Sequence, residues 1–212
     1  MKTQNDFISR LKDKFGLDNP IFTEEIISLF QEYTKAYVFR LIKESEENSF
    51  LKLYTRGVYY IPHNTIFGES TLYPEKVAER KYVKDKQNVY GINSGLSLLN
   101  QFQVTTQMPN VIEIVTNKEA TRKRIVYING KEFIIRKSRC EINSDNFPEY
   151  TLLQLFTEID PRDIFDDLTV QLIKDYIKEY EITKEKLSLM SLYFPSYTSK
   201  NIIRSGIFNE IA

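Results

Sequence analysis

Asn129-Gly130 limits what this chain can fold into more than any other pair of residues. It stands inside RIVYINGKEFIIRKSR, between two β-forming runs, and Asn-Gly is the strongest signal for a two-residue hairpin turn, which needs positive φ at both positions. That turn sets Val126 and Ile128 on one face with Phe133 and Ile135, a face expected to pack on helices. Val111 to Val115 reads as a further strand, and Ser94 to Phe102 as a helix with Leu96, Leu98, Leu99 and Phe102 apolar. The second half is therefore expected to be a mixed α/β domain. From Phe147 onward the pattern is helical, in EYTLLQLFTEI, DDLTVQLIKDYIKEY and KEKLSLMSLY.

The first half has a different order. Phe7, Ile8, Leu11 and Phe15 recur at helical spacing from Asp6, and Gly16 and Pro20 end the run. Thr23-Glu24-Glu25 gives a second helix start, with a cap hydroxyl and acids in the first turn. Thr34 caps a third helix reaching about Glu47, with Val38, Leu41 and Ile42 facing inward and Lys35, Tyr37, Arg40 and Lys43 left outside. LKLYTRGVYYIP then reads as two short strands around Arg56-Gly57, stopped by Pro62. Three helices followed by a basic β-ribbon is the order of a winged helix-turn-helix. Helix three would enter the major groove of DNA. Lys52 and Arg56 on the ribbon would reach the flanking phosphates, where Gly57 permits close approach. A small helical domain with a hairpin that only packs is the alternative. A polar helical stretch from Tyr73 to about Lys86 follows.

Net charge is zero over the 212 residues, but it is unevenly spread. Residues 87–140 carry 8 basic and 3 acidic side chains, and residues 141–212 carry 7 and 13. That asymmetry suits either a polyanion-facing surface or two segments that attract each other. The cations Arg122, Lys123, Arg124, Lys131, Arg136, Lys137 and Arg139 can face an acidic protein, an RNA, or the acidic C-terminal helices. A hydrophobic content of 42 % supplies packed cores. No apolar run reaches the roughly 18 residues of a membrane span, and the polar N-terminus has no signal-peptide stretch, so a cytoplasmic location is expected.

Enzyme chemistry finds few candidates. His63 is the only histidine and Cys140 the only cysteine, which leaves no multi-cysteine zinc site and no ready acyl-transfer triad. Arg136, Lys137 and Arg139 could lower the Cys140 pKa. YGINSG lacks the lysine-serine pair of a phosphate loop. Asp160, Asp163, Asp166 and Asp167 form an acidic cluster, but each also suits a helix cap or first turn. Glu113 and Glu132 on strands near lysines keep open a metal-dependent nuclease, or another nucleic-acid enzyme, as the alternative. No metal, cofactor or catalytic residue is expected under the leading reading.

Two blocks carry a resemblance to a known family. YTRGVYYIPHNTIFGE, with the helix before it, is similar to the wing and the T-x-F-G segment of the AbiE-type antitoxins of abortive-infection, type IV toxin–antitoxin systems. YGINSGLSLLNQFQVTTQMPNVIEIVTN resembles that family's Y-G-x-x-S-G-x-x-x-L-N…T-x-Q-x-P-N-x-x-x-I-V-T-N core. With SLYFPSYTSKNIIRSGI the match spans roughly residues 5–210. The resemblance implies an α+β protein in two parts. Residues 1–86 would be a winged helix-turn-helix with a connecting helix, and residues 87–212 an α/β antitoxin domain with a β-hairpin and a helical C-terminus. It implies binding to double-stranded promoter DNA through Thr34, Lys35, Tyr37 and Arg40 on the helix and Lys52, Tyr54, Arg56 and Gly57 on the wing. It further implies repression of the chain's own operon and antagonism of a nucleotidyltransferase-type toxin without a stable complex. A winged-helix regulator with no toxin is a further alternative. KESEENSFLKL departs from the family, whose members more often carry a glycine-containing turn there.

Overall fold

The computed structural model describes residues 2–66, 68–159 and 167–211. The chain is mixed α+β and divides into two compact units, Met1–Arg80 with Ile128–Gly130, and Lys81–Tyr127 with Lys131–Ala212. No helix among the described residues is long and apolar enough to cross a membrane.

The first unit runs α1 (Lys2–Phe15), β1 (Ile21–Phe22), α2 (Thr23–Leu29), α3 (Lys35–Glu47), β2 (Lys52–Thr55) and β3 (Val58–Tyr60). Two-residue strands β4 (Asn64–Thr65) and β5 (Gly68–Glu69) follow, and α4 (Pro74–Tyr82) carries the chain into the second unit. The antiparallel sheet has the order β1-β3-β2, with Ile21 opposite Tyr59 and Lys52 opposite Tyr60. Phe7, Leu11 and Phe15 from α1 join Ile26, Phe30, Val38, Leu41 and Ile42 in one buried cluster. Each such side chain contributes about 1.5–3 kcal/mol by leaving water.

The start of α2 differs from expectation. Glu25, not Thr23, supplies the cap, accepting the Phe22 N–H at 3.0 Å, while the Thr23 hydroxyl donates to the Gly57 carbonyl at 3.3 Å. Leaving α3, the chain turns at Ser49, whose φ of 59° is left-handed, and the Phe50 N–H reaches back to the Ser45 carbonyl at 2.9 Å. A serine thus makes the turn in KESEENSFLKL that glycine most readily makes.

His63 lies in an exposed loop that is tied down by hydrogen bonds. Its Nδ1 lies against the Asp18 carboxylate, which also accepts the Ser70 hydroxyl, and the Ser70 N–H donates to the His63 carbonyl at 3.0 Å. Burial pushes the Asp18 carboxyl up, but the Ser70 and His63 contacts outweigh it and hold the group below its usual value. A depressed carboxyl stabilises the fold fully above its unfolded pKa, about 4, and that stability is lost as pH falls through the lower folded value. Asp18→Asn should therefore flatten the loss of stability below about pH 4. Urea midpoints at several acid pH values test this, and equal slopes in both proteins would count against it.

The second unit holds a four-stranded sheet of β6 (Gly91–Ser94), β7 (Ile112–Thr116), β8 (Lys123–Ile128) and β9 (Lys131–Lys137), in the order β6-β7-β9-β8. β6 is antiparallel to β7, with Gly91 opposite Thr116, and β9 is parallel to β7, with Ile114 beside Ile135. Asn129 and Gly130 take the expected positive φ, 47° and 82°. Ile128, Phe133 and Ile135 are buried and Val126 is half-buried. The helices are α5 (Leu96–Gln101), α6 (Phe147–Glu158), α7 (Asp167–Glu179), α8 (Lys184–Ser191) and α9 (Ser196–Arg204). α6 is buried on every side from Pro148 to Phe156 and packs against α5, α8, α9 and β6, the position of a central core helix, although Glu149, Thr151 and Gln154 are buried with its apolar residues.

Three expectations need correction. Ser94 belongs to β6, because the backbone there pairs with Glu113, so the helix starts only at Leu96. The helix expected to reach Lys86 stops at Tyr82. The Asp85 carboxylate accepts the Gln87 and Asn88 N–H groups, and the Tyr90 N–H returns to the Val83 carbonyl at 2.8 Å. That side-chain turn competes with helix continuation. Burial pushes the Cys140 thiol up rather than down, with the exposed Arg139 turned over the Phe194 ring. Asp160, Asp163 and Asp166 lie outside the described residues, and Asp167 opens α7.

Candidate nucleic-acid interface

α3 is held by its inner stripe. Val38, Leu41 and Ile42 are buried, and Ser45 returns its hydroxyl to the Leu41 carbonyl at 2.7 Å. Thr34 acts as the cap, accepting the Tyr37 N–H at 3.3 Å, so its hydroxyl is engaged in holding the helix. Lys35, Phe39, Arg40 and Lys43 are exposed on the opposite side, with Tyr37 half-buried beside them.

The cations of this face differ in how they are held. Arg40 stacks over the Tyr37 ring at 4.5 Å and its Nε stands 3.4 Å from Glu44. Lys43 stands 3.9 Å from Glu47. Both pairs are exposed (i, i+4) contacts, worth roughly 0.3–0.5 kcal/mol, so either acid can be displaced at little cost. Lys35 pairs with no acid among the described residues. Phe39, 49 % exposed, was not singled out from the sequence. The signal was present, since a stripe at 38, 41, 42 and 45 turns position 39 outward.

The β2–β3 ribbon is irregular at Tyr54, where the register shifts between Leu53 and Thr55. Tyr54 is half-buried and meets Tyr60 edge-to-face at 6.5 Å. Gly57 turns with φ of 77°, and its carbonyl accepts the Thr23 N–H at 3.0 Å, which ties the ribbon tip to the start of α2. Arg56 is exposed at the tip and pairs with no acid among the described residues. Lys52 is bound to Glu69, whose hydrogen bond pushes the ammonium pKa up.

The seven cations picked out in the second unit are spread along the chain and differently held. Lys131 and Lys137 mark opposite ends of β9, about 20 Å apart at the rise of a strand. Arg136 donates to Glu113 at 2.7 Å. Arg124 Nε stands 2.8 Å from Oε2 of Glu119, a residue only 4 % exposed, in a pair held by charge because the N–H does not point at that oxygen. Burial pushes the Glu119 carboxyl up, but the Thr121 N–H and hydroxyl together with Arg124 bring it below its usual value. Arg122, Lys123, Lys137 and Arg139 are exposed, and Lys131 is half-buried.

Arg124→Ala should consequently cost about 1–2 kcal/mol of stability by leaving a buried carboxylate short of a partner. Arg122→Ala should stay within about 0.5 kcal/mol. Thermal unfolding of the two variants distinguishes the roles, and equal losses would refute the division. Of the carboxylates behind the nuclease alternative, Glu113 is engaged by Arg136 and Glu132 accepts the Tyr127 hydroxyl at 3.1 Å. No protein-family model matches the chain, and no curated protein matches it.

Proposed function

We propose that this protein binds double-stranded promoter DNA through α3 and the β2–β3 ribbon, represses its own operon, and acts as the antitoxin of a type IV pair. The observation that carries the DNA reading is the element order of the first unit. Helix, strand, helix, helix, strand, strand, with sheet order β1-β3-β2, is the arrangement a winged helix-turn-helix would have. The outward face of α3 and the ribbon tip then supply the cations Lys35, Arg40, Lys43 and Arg56. In this reading the Glu44 and Glu47 pairs hold Arg40 and Lys43 in place until DNA replaces the acids, a base edge at Arg40 and a phosphate at Lys43.

The antitoxin role rests on the family resemblance of residues 54–69, 90–117 and 191–207, and the protein is read as having no catalytic activity of its own. The toxin it would counteract is of nucleotidyltransferase type, with no stable complex between the two. Co-expression tests that role. If a nucleotidyltransferase-like protein encoded beside this chain arrests growth, the chain should restore it, and Arg40→Ala should restore it equally because promoter reading is not needed. A chain that never restores growth against such a partner overturns the antitoxin role and leaves a promoter-binding regulator.

A further inference from the structure

The second unit contains a cavity of about 590 Å³ between residues 140–146, the first turn of α6 and the end of α8. That volume lies within the range of small-molecule sites, about 300–1,000 Å³. Glu149 lines it and is only 2 % exposed, and its Oε2 has no hydrogen-bond partner. The first turn of α6 offsets part of the negative charge. No donor among the described residues reaches that oxygen, and the Asn146 N–H that precedes the helix is taken by Asn143 Oδ1 at 3.1 Å. A buried carboxylate oxygen without a donor is costly, so the arrangement lacks a hydrogen-bond donor that a ligand can bring.

The surroundings define the ligand's chemistry. Glu141 and Asp145 add negative charge against the single cation Lys186, while Leu189 and Leu192, 68 % and 81 % exposed, provide apolar surface. The walls are preformed. Asn117 bonds both the carbonyl and the N–H of Ile142, at 2.6 and 2.9 Å, Asn146 Nδ2 bonds the Glu141 carbonyl at 2.9 Å, and the Tyr150 hydroxyl accepts the Arg139 N–H at 2.9 Å. Among the described residues no group of three or more His, Cys, Asp or Glu could hold a metal ion. Organic cations meet the same charge with directed donors and an apolar stem.

We propose that this cavity binds an alkylguanidinium or alkylammonium group, with the cationic head donating to Glu149 and the stem resting on Leu189 and Leu192. The group can come from a free small amine or from an arginine or lysine side chain of a protein, and the site is independent of the DNA reading. Amide NMR of the full chain, titrated with butylguanidine, tests it. Binding should be saturable with a dissociation constant on the order of 1 mM, as suits so few atoms. Shifts should centre on residues 139–149 and 186–193, and neutral butylurea should produce none. Glu149→Gln should weaken binding about tenfold or more. Asp145→Asn, at an exposed position that does not risk the fold, should weaken it by a smaller factor. An acetyl-Leu-Arg-Leu-amide peptide binding more tightly than butylguanidine points to a protein side chain, and the reverse points to a free amine. Equal binding of butylurea, unchanged binding in Glu149→Gln, or no binding of either cationic probe overturns the proposal.

Discussion

Gly91→Ala should be among the most damaging single changes in the second unit. A Cβ at this position would lie 2.2 Å from the Tyr82 carbonyl oxygen and 2.7 Å from that of Val115. Both obstacles are backbone atoms, and Val115 lies within β7, which pairs on both sides with β6 and β9. The Val115 carbonyl cannot yield without disturbing the β7 ladder, and the Tyr82 carbonyl at the end of α4 is even closer, so the expected cost is about 3 kcal/mol or more. For a chain of this size that lowers the melting temperature by about 10 °C. Gly130→Ala provides the contrast. Nothing lies within 4 Å of its Cβ, and only the positive φ of 82° opposes the change, a cost of roughly 1 kcal/mol. Circular dichroism melts of both variants check the comparison, and a Gly91→Ala protein as stable as Gly130→Ala would remove the steric explanation.

Arg40→Ala should reduce affinity for the cognate promoter by about 1–3 kcal/mol and relax preference at one or two base pairs, if its guanidinium makes a bidentate base contact. Arg56→Ala should weaken cognate and unrelated DNA alike and reduce the salt slope by about 1, the signature of one lost phosphate contact. The ion pairs on α3 extend the expectation. Glu44→Gln removes the acid held 3.4 Å from Arg40, so this variant should bind somewhat more tightly than the parent, chiefly at low salt. Anisotropy titrations over a salt series separate the three variants. Arg40→Ala and Arg56→Ala behaving identically would show that α3 does not read bases.

The α+β class and most helices were legible because their signals are local. The Asn129-Gly130 turn, the Thr34 cap and the Val38, Leu41, Ile42 stripe each act within a few residues. The errors arose where a distant partner decides. Ser94 follows a helical apolar pattern, yet its backbone is claimed by β7 about twenty residues onward. α9 was not picked out as a helix, although its Thr198 and Asn201 side chains anchor it to Thr157 and to the Phe156 carbonyl of α6. The site shows the same limit. Exposure of Lys35, Arg40 and Lys43 followed from helical phase, and the (i, i+4) acids beside Arg40 and Lys43 were readable at the same spacing. The pairing of Arg124 with Glu119 and of Arg136 with Glu113 was not, because it depends on how the folded strands and loops bring these side chains together. The unpartnered Glu149 was equally hidden, since sequence marks it only as a first-turn helix acid.

The central claim is most directly tested by measuring anisotropy of the intact chain with a labelled fragment from upstream of its own gene, beside a shuffled fragment of equal length. Preference for the upstream fragment of at least about 1,000-fold is expected, with log affinity falling linearly against log salt. Equal affinity for both fragments, or no binding at about 50 mM salt, would contradict the account.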